Sequence, residues 1–153
     1  MPLVGVVIGS QSDADVIKAA LEVLESLGIE YEYSVISAHR NPRKAQQYAE
    51  TAKERGLEVI IAGAGMAAAL PGVIASMTTL PVIGIPLSGS ALNGVDALYS
   101  IVQMPGGIPV ACMAIGKAGA KNAAYLAASI LGLKHDTIRQ SYEKYRRELQ
   151  GDL

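Results

Sequence analysis

The sequence predicts an α/β protein in which a five-stranded parallel sheet lies between two layers of helices. Two observations lead to this fold class. Short apolar segments rich in Val and Ile recur along the chain, and segments with helical apolar spacing separate them. Regular alternation of this kind is typical of a parallel sheet covered by helices on both faces. With 153 residues, half of them hydrophobic, the chain can bury one sizeable core.

The predicted strands are short apolar segments bounded by Gly, Pro or polar residues. They cover residues 4–8, 31–36, 58–62, 81–85 and 108–113. The first is a β-branched run that ends at Gly9 and is typical of a buried strand. Five strands in this alternating order suit a flavodoxin-like three-layer α/β/α sandwich.

The predicted helices cover residues 13–27, 42–55, 67–77, 96–103, 118–131 and 136–149. The third of them is interrupted or starts afresh near Pro71. Ser12 is the expected N-cap of the first helix and Gly28 its C′ residue. Pro42 fits the first turn of the second helix. The last helix, about 136–150, is charged, with a stripe formed by Ile138, Tyr142, Tyr145 and Leu149. We expect a single domain over 1–153, whose last helix packs on a neighbouring subunit.

The charged side chains are distributed unevenly. Residues 1–58 hold 15 of them and residues 117–153 hold 11, whereas residues 59–116 hold one, Asp96. Gly and Pro cut the apolar stretches of this middle region well below the ~20 residues of a membrane span. The sequence therefore predicts a middle region that is covered by other elements or by other subunits, with no membrane contact.

The net charge and the cysteine content exclude several further classes of protein. The net charge of −1 provides no field that would attract nucleic acid. The single cysteine, Cys112, excludes an intramolecular disulfide and a multi-cysteine zinc site, and we expect it to pack as a small apolar side chain. Without a disulfide or a signal peptide, the cytoplasm is the expected compartment.

Ligands in such folds bind at the carboxyl ends of the strands, so the loops there are the candidates for chemistry. The first loop, Gly9 to Asp13, has free backbone N–H groups and two hydroxyls that could hold a phosphate. Asp13 could accept hydrogen bonds from ribose hydroxyls. The alternative is that Ser12 and Asp13 only cap and charge the start of the helix.

The second loop places His39 beside Arg40 at the end of a predicted strand. Histidine is the natural general acid or base near neutral pH, and arginine could bind a phosphate. The alternative is a histidine exposed in a surface loop. The position at the strand end favours a functional role.

The third loop contains G-x-G-x-x-A at 63–68. A dinucleotide site would need an acidic residue at the end of the next strand, and residues 84–87 contain none, which favours close backbone approach to a small ligand.

The fourth segment, Ser88 to Asp96, is a binding lid, a subunit contact or an ordinary connector, and Asp96 either caps the next helix or pairs with a cation. We expect His135 to lie on the surface and Lys117 and Lys121 to be solvated.

Six stretches together resemble the N5-carboxyaminoimidazole ribonucleotide mutase family of bacterial purine biosynthesis. They are G-S-Q-S-D at 9–13, S-A-H-R-N-P at 37–42, A-G-A-G at 62–65, L-P-G at 70–72, A-L-N-G-V-D-A-L-Y-S-I-V-Q-M-P-G-G-I-P-V at 91–110 and A-I-G-K-A-G-A-K-N-A-A at 114–124. The resemblance covers nearly the whole chain. It implies a flavodoxin-like fold, a homo-octamer with sites at subunit contacts, and no metal or organic cofactor.

The resemblance also implies roles for individual residues. The family moves a carboxyl group from the exocyclic nitrogen to carbon 4 of an imidazole ribonucleotide, through CO2. His39 would be the general acid/base. The implied substrate-binding residues are Ser10, Ser12, Asp13, Ser37, Ala38, Arg40, Gly63, Gly65 and Leu70. Among them Ser10, Ser37 and Arg40 would hold the 5′-phosphate and Asp13 the ribose, while the backbone at Gly63, Gly65 and Leu70 would line the CO2 pocket.

The third loop departs from the family pattern. The usual A-G-A-G-G-A-A-H-L-P-G stands here as A-G-A-G-M-A-A-A-L-P-G, with Met66 in place of Gly and Ala69 in place of His. Because His39 is intact, we expect the reaction class to be retained. The alternatives are a carboxylase that uses aminoimidazole ribonucleotide and CO2 directly, or a nucleotide-binding paralogue with weakened activity.

Overall fold

A computed structural model describes residues 1–151 and contains a five-stranded parallel sheet. Its strands are β1 (Val4–Ile8), β2 (Tyr31–Val35), β3 (Val59–Gly65), β4 (Val82–Leu87) and β5 (Ala111–Cys112), in the order β2-β1-β3-β4-β5. This arrangement confirms the predicted fold class. The chain passes from β1 to β2 on one side and then crosses back to β3 on the other side of β1, so the direction of the strand order reverses here. Because the strands are parallel, the carboxyl ends of these three strands lie at one edge of the sheet.

Six helices lie within residues 1–151, and the first five cover the two faces of the sheet. They are α1 (Ala14–Ser26), α2 (Pro42–Thr51), α3 (Leu70–Ala75), α4 (Val95–Val102), α5 (Lys117–Leu131) and α6 (Asp136–Gln150). Helices α1 and α5 share one core cluster with the sheet, whereas α2, α3 and α4 share the other. None of the helices within residues 1–151 is long and apolar enough to cross a membrane.

Small side chains allow α1 and α5 to pack closely. Ala20 of α1 is fully buried, as are Ala120, Ala124 and Ala127 of α5. At the start of α5, Gly119 lies against the carbonyl of Ala114, where a Cβ would overlap the backbone. The abundance of alanine in the sequence is thus used at a contact between helices.

Several boundaries differ from the prediction. Strand β3 continues to Gly65 and β4 to Leu87, because these two ends pair with each other, whereas the sequence placed the ends at 62 and 85. Strand β5 pairs over two residues only. Helix α3 starts at Leu70, in agreement with the predicted fresh start near Pro71, but it covers only six residues of the predicted 67–77, since left-handed residues precede it.

The predicted N-cap of α1 is wrong. A 3-10 turn over Gln11–Asp13 precedes the helix, which begins at Ala14. Ser10 caps this turn by accepting a hydrogen bond from the Ser12 backbone N–H. The first loop keeps its predicted span of 9–13, but its second half is a 3-10 turn, and both serine hydroxyls lie outside the helix.

Helix α6 packs on α5 within the chain. Ile138 is buried, and Tyr142 and Tyr145 stack on Tyr125 of α5, with ring centroids 5.7 and 4.5 Å away. Leu149, the fourth member of the predicted stripe, is 67% exposed. A contact of this helix with a neighbouring subunit stays a prediction.

His135, expected to be an ordinary surface residue, is partly buried and paired. Its Nε2 lies 2.9 Å from Oε2 of Glu58, whose Oε1 accepts a hydrogen bond from Lys134 Nζ at 2.6 Å. Burial raises the pKa of Glu58, but the hydrogen bonds and charges contributed by Lys134 and His135 outweigh that effect, and the pKa is lowered. These contacts join the start of α6 to the residue before β3.

Candidate active site

A cleft of about 460 Å³ opens at the carboxyl ends of β1, β2 and β3. It lies where the strand order reverses, the usual ligand position in open α/β sheets. Its lining comes from the first three loops and from Gly89: residues 9, 10, 12, 13, 37–40, 64–70 and 89. The fold thus gathers three segments that are separated in the sequence.

The first loop presents hydroxyls to the cleft. The Oγ atoms of Ser10 and Ser12 lie 2.9 Å apart, so they form a hydrogen-bonded pair. The backbone N–H of Gly9 donates to the Gly63 carbonyl at 3.2 Å, which fixes the loop to the end of β3. Two hydroxyls on an anchored loop can donate hydrogen bonds to an anionic or polyhydroxyl ligand.

Asp13 is the carboxylate of the cleft. It is partly buried, and burial raises its pKa above the ordinary aspartate value. Burial also raises the pKa of the Tyr33 hydroxyl on β2, with a smaller contribution from the Asp13 charge. A half-buried carboxylate without a salt bridge in the described part of the chain is available as a hydrogen-bond acceptor for hydroxyl groups.

The second loop is a tight turn between β2 and α2. Ser37 Oγ accepts a hydrogen bond from the Arg40 backbone N–H at 3.3 Å, and the Ser37 carbonyl accepts one from Asn41 at 2.8 Å. Asn41 caps α2 through the Lys44 backbone N–H. This turn leaves the His39 and Arg40 side chains exposed at the cleft.

The third loop is a strained turn. Met66 has φ 56° and Ala68 has φ 33°, and these are two of three left-handed non-glycine residues among residues 1–151. The left-handed region costs a side-chain-bearing residue on the order of 1–2 kcal/mol. The Ala68 backbone N–H closes the turn on the Gly65 carbonyl at 3.0 Å.

Most of the predicted site residues meet in this cleft. Gly63 is the exception: it is buried within β3, where an added Cβ would meet the side chains of Ile17 and Leu87, and it does not line the cleft. The lining residues not predicted as site residues are Gly9, Ala64, Met66, Ala67, Ala68, Ala69 and Gly89. Met66 was visible in the sequence as a departure from the family pattern, whereas the small residues carried no signal beyond their place in a loop.

The fourth segment contributes little else to the cleft. Ser90 donates its hydroxyl to Asp96 Oδ1 at 2.8 Å and accepts a hydrogen bond from the Leu92 backbone N–H. Asp96 neither caps α4 nor pairs with a cation within residues 1–151. It orders the connector through Ser90 instead.

A larger groove of about 870 Å³ lies at the opposite, amino-terminal edge of β4. Its lining is mainly apolar, with Glu50 and Lys53 as its charged side chains, and it contains no histidine. The smaller cleft combines an imidazole, a guanidinium, a carboxylate and three serine hydroxyls. That combination can bind a phosphorylated sugar and move a proton, so the smaller cleft is the candidate active site.

No cluster of His, Cys, Asp or Glu suited to a metal ion occurs in the described chain.

The sheet order and this cleft define a flavodoxin-like α/β protein with a cleft at the β1/β3 switch point, where ligands bind in such folds. Comparison with known proteins is more specific. The model of the AIR carboxylase family matches residues 3–152, and the chain therefore belongs to that family of enzymes. The resemblance stated from the sequence motifs is confirmed.

Individual relatives agree with this assignment. The chain is 55% identical over 153 residues to the N5-carboxyaminoimidazole ribonucleotide mutase of Thermotoga maritima, covering 100% of this chain and 88% of the relative. It is 58% identical over 144 residues to the mutase of Pseudomonas aeruginosa, covering 94% and 88%. The crystal structure of Treponema denticola PurE superposes with a TM-score of 0.88 at 29% identity, covering 99% of this chain and 93% of that one.

Proposed function

We propose that this protein is an isomerase of purine biosynthesis that converts N5-carboxyaminoimidazole ribonucleotide to 4-carboxy-5-aminoimidazole ribonucleotide. The observation that carries the proposal is the placement of His39 and Arg40 in one small cleft with Ser10, Asp13 and Ser37. The relatives named as mutases support the same reaction. The substrate and CO2 would be its only small-molecule partners, with no metal or organic cofactor.

The polar side chains divide into two binding functions. Arg40 and the hydroxyls of Ser10, Ser12 and Ser37 would hold the 5′-phosphate, since a guanidinium and hydroxyl donors suit its oxygens. Asp13 would accept hydrogen bonds from the ribose hydroxyls. With the phosphoribose held in this way, the imidazole ring would extend toward His39 and the third loop.

His39 would move the proton in both halves of the reaction. When the N–C bond breaks and CO2 leaves, its electron pair returns to the exocyclic nitrogen, which takes a proton from the His39 imidazolium. Carbon 4 then attacks CO2 with the electrons of the enamine, and a new C–C bond forms. The neutral imidazole removes the proton from carbon 4 as the ring regains aromaticity, so that His39 ends in its starting state.

The third loop would confine the CO2 between the two steps. Ala38 and the backbone at Gly65 and Leu70 would form the wall around the carboxyl group. Holding CO2 beside carbon 4 favours recapture over escape, because the second step is then effectively intramolecular. Release of free CO2 into the solvent should accordingly be slow relative to product formation.

The test of the proposal is turnover by the purified protein with His39 intact or replaced. We expect His39→Asn to lower kcat by about 10²- to 10⁴-fold with ligand binding retained, since a general acid/base contributes on that scale. His135→Asn is the matched control, because His135 lies on Glu58, away from the cleft lining. Equal activity of His39→Asn and the wild type would refute the assigned role.

The same assay separates the alternative functions. Product from N5-carboxyaminoimidazole ribonucleotide without added bicarbonate supports the mutase. Product only from aminoimidazole ribonucleotide with bicarbonate would make the protein a direct carboxylase, an alternative that the description of the family model favours. Ligand binding without product from either substrate would indicate a weakened paralogue.

We further propose a cytoplasmic homo-octamer with sites at subunit contacts. An uncharged, exposed face of α4 supports an assembly: Val95, Tyr99 and Val102 are 41, 63 and 46% exposed at helical spacing. Light scattering tests this proposal. The mass of a single 15.9 kDa chain would contradict it.

A further inference from the structure

Met66 is an exposed apolar side chain at the mouth of the cleft. It is 64% exposed, and its backbone adopts the left-handed region at φ 56°. Both properties are unfavourable for a methionine in a free surface loop, since glycine would adopt this backbone without strain and a polar side chain would suit the solvent. Such an outlier at a ligand cleft points to a role in binding.

The turn presents Met66 from a rigid base. On one side Gly65 pairs with Leu87 in the sheet, and on the other side Leu70 is 1% exposed. The hydrogen bond from the Ala68 N–H to the Gly65 carbonyl closes the turn between them. The Met66 backbone is therefore held in place, while its thioether side chain can adjust to a ligand.

Met66 differs in size and polarity from most of the other residues that line the cleft. The lining residues from the first two loops are polar or small, and those of the third loop other than Met66 and Leu70 are Gly or Ala. Since Leu70 is buried, Met66 is the large apolar side chain accessible to a ligand in the described cleft. A flat ring bound between the polar loops would otherwise meet only methyl groups and backbone.

We propose that Met66 is a specificity-determining residue whose thioether packs on the ring of the bound ligand. This inference rests on the proposed function, in which that ring is an imidazole. Contacts between a methionine sulfur and an aromatic ring are favourable and tolerate several geometries. Met66 would select for the ring, whereas Arg40 and the serines would select for the phosphate without regard to the ring.

The experiment compares two probes, aminoimidazole ribonucleotide and ribose 5-phosphate, which lacks the ring. We expect Met66→Ala to weaken binding of the ribonucleotide about 2- to 10-fold and to leave ribose 5-phosphate unchanged. Met66→Leu should restore part of the loss, because it keeps the apolar volume without the sulfur. Met77→Ala is the matched control, since Met77 is also partly exposed but lies in the groove at the opposite edge.

Met66→Gly and thermal unfolding test a merely structural role. If Met66 only shapes the turn, Met66→Gly shifts the unfolding temperature while the ratio of the two affinities stays at the wild-type value, and the proposal is wrong. An equal loss for both probes would also overturn it. If the wild type binds the ribonucleotide in a Met66-dependent way but forms no product, the proposed function fails and the role of Met66 stands. A wild type that binds the two probes equally refutes the role of Met66 whatever its turnover.

Discussion

Replacing Gly5 by alanine probes how the middle of β1 is packed. Gly5 lies between Glu32 of β2 and Ile60 of β3, and all of its neighbours in β1 are buried. A Cβ at this position would overlap the Tyr48 hydroxyl and lie 2.8 Å from Cδ1 of Leu57. Carbon atoms pack best about 3.5–4.0 Å apart, so both neighbours would have to move.

The Tyr48 ring has little freedom to move. The Arg55 guanidinium lies 4.6 Å from its centroid and donates to Glu32 on β2. The Tyr48 hydroxyl is buried without a hydrogen-bond partner within residues 1–151, and burial, with a contribution from Glu32, raises its pKa. We therefore expect Gly5→Ala to lower the free energy of unfolding by about 2 kcal/mol, in the usual range for overpacking.

A double-mutant cycle isolates the contact with the hydroxyl. Tyr48→Phe alone should be neutral or stabilise the protein by up to about 1 kcal/mol, because an unpaired buried hydroxyl is removed. In that background Gly5→Ala should cost about 1 kcal/mol less than in the wild type, since the Leu57 overlap remains while the ring Cζ of residue 48, 3.4 Å away, is close to ordinary contact distance. The measurement is urea unfolding followed by circular dichroism, at one protein concentration for all four proteins.

Two outcomes would refute this reasoning. An equal cost of Gly5→Ala in both backgrounds would show that the hydroxyl is not the obstacle. A Tyr48→Phe variant that is less stable by more than about 1 kcal/mol would show that the hydroxyl has a partner in solution. Either result would require a different packing between α2 and the sheet.

Two further predictions concern pairs outside the cleft. Because the pKa of Glu58 is lowered from 4.5 by Lys134 and His135, its contribution to stability is present above that value and lost as the pH falls through the folded-state pKa. We expect Glu58→Gln to be about 1 kcal/mol less stable at pH 7 and nearly equal to the wild type in acid, as measured by urea unfolding across pH; a constant difference at every pH would contradict this. Ser90→Ala should lower the free energy of unfolding by about 1 kcal/mol, since Asp96 loses its hydrogen bond, and an Asp96→Asn control should lose less; no change in thermal unfolding would show that this bond is not formed in solution.

The sequence predicts the sheet well because its strands are apolar and short. The boundaries of β3 were missed because A-G-A-G contains no residue typical of a strand, yet Gly65 pairs with Leu87 of β4. The length of α3 was missed for the opposite reason. Ala67 to Ala69 have helix-forming side chains, but the tertiary structure holds Met66 and Ala68 in left-handed conformations that local propensity does not predict.

In the candidate site, too, some residues could be placed from the sequence and others only from the tertiary structure. The place of His39 and Arg40 at the cleft could be predicted, because a histidine beside an arginine at the end of a buried strand stands out in the sequence. Gly63 was assigned to the cleft because it belongs to the motif of the third loop. The face of the sheet on which a residue lies depends, however, on the pleat of β3, and position 63 faces Ile17. Which face a strand residue presents becomes visible only when the register of the sheet is known.

The alanine contact between α1 and α5 has a consequence for how this protein can vary over evolution. A fully buried alanine such as Ala20 or Ala124 can be replaced neither by a larger residue, which would force the helices apart, nor by glycine without weakening the helix. Helix α1 starts directly after the first loop, so a displacement here would also move Ser10 and Asp13. Substitutions at the contact between α1 and α5 should therefore be tolerated almost as rarely as substitutions in the cleft, although this contact is not part of the cleft lining.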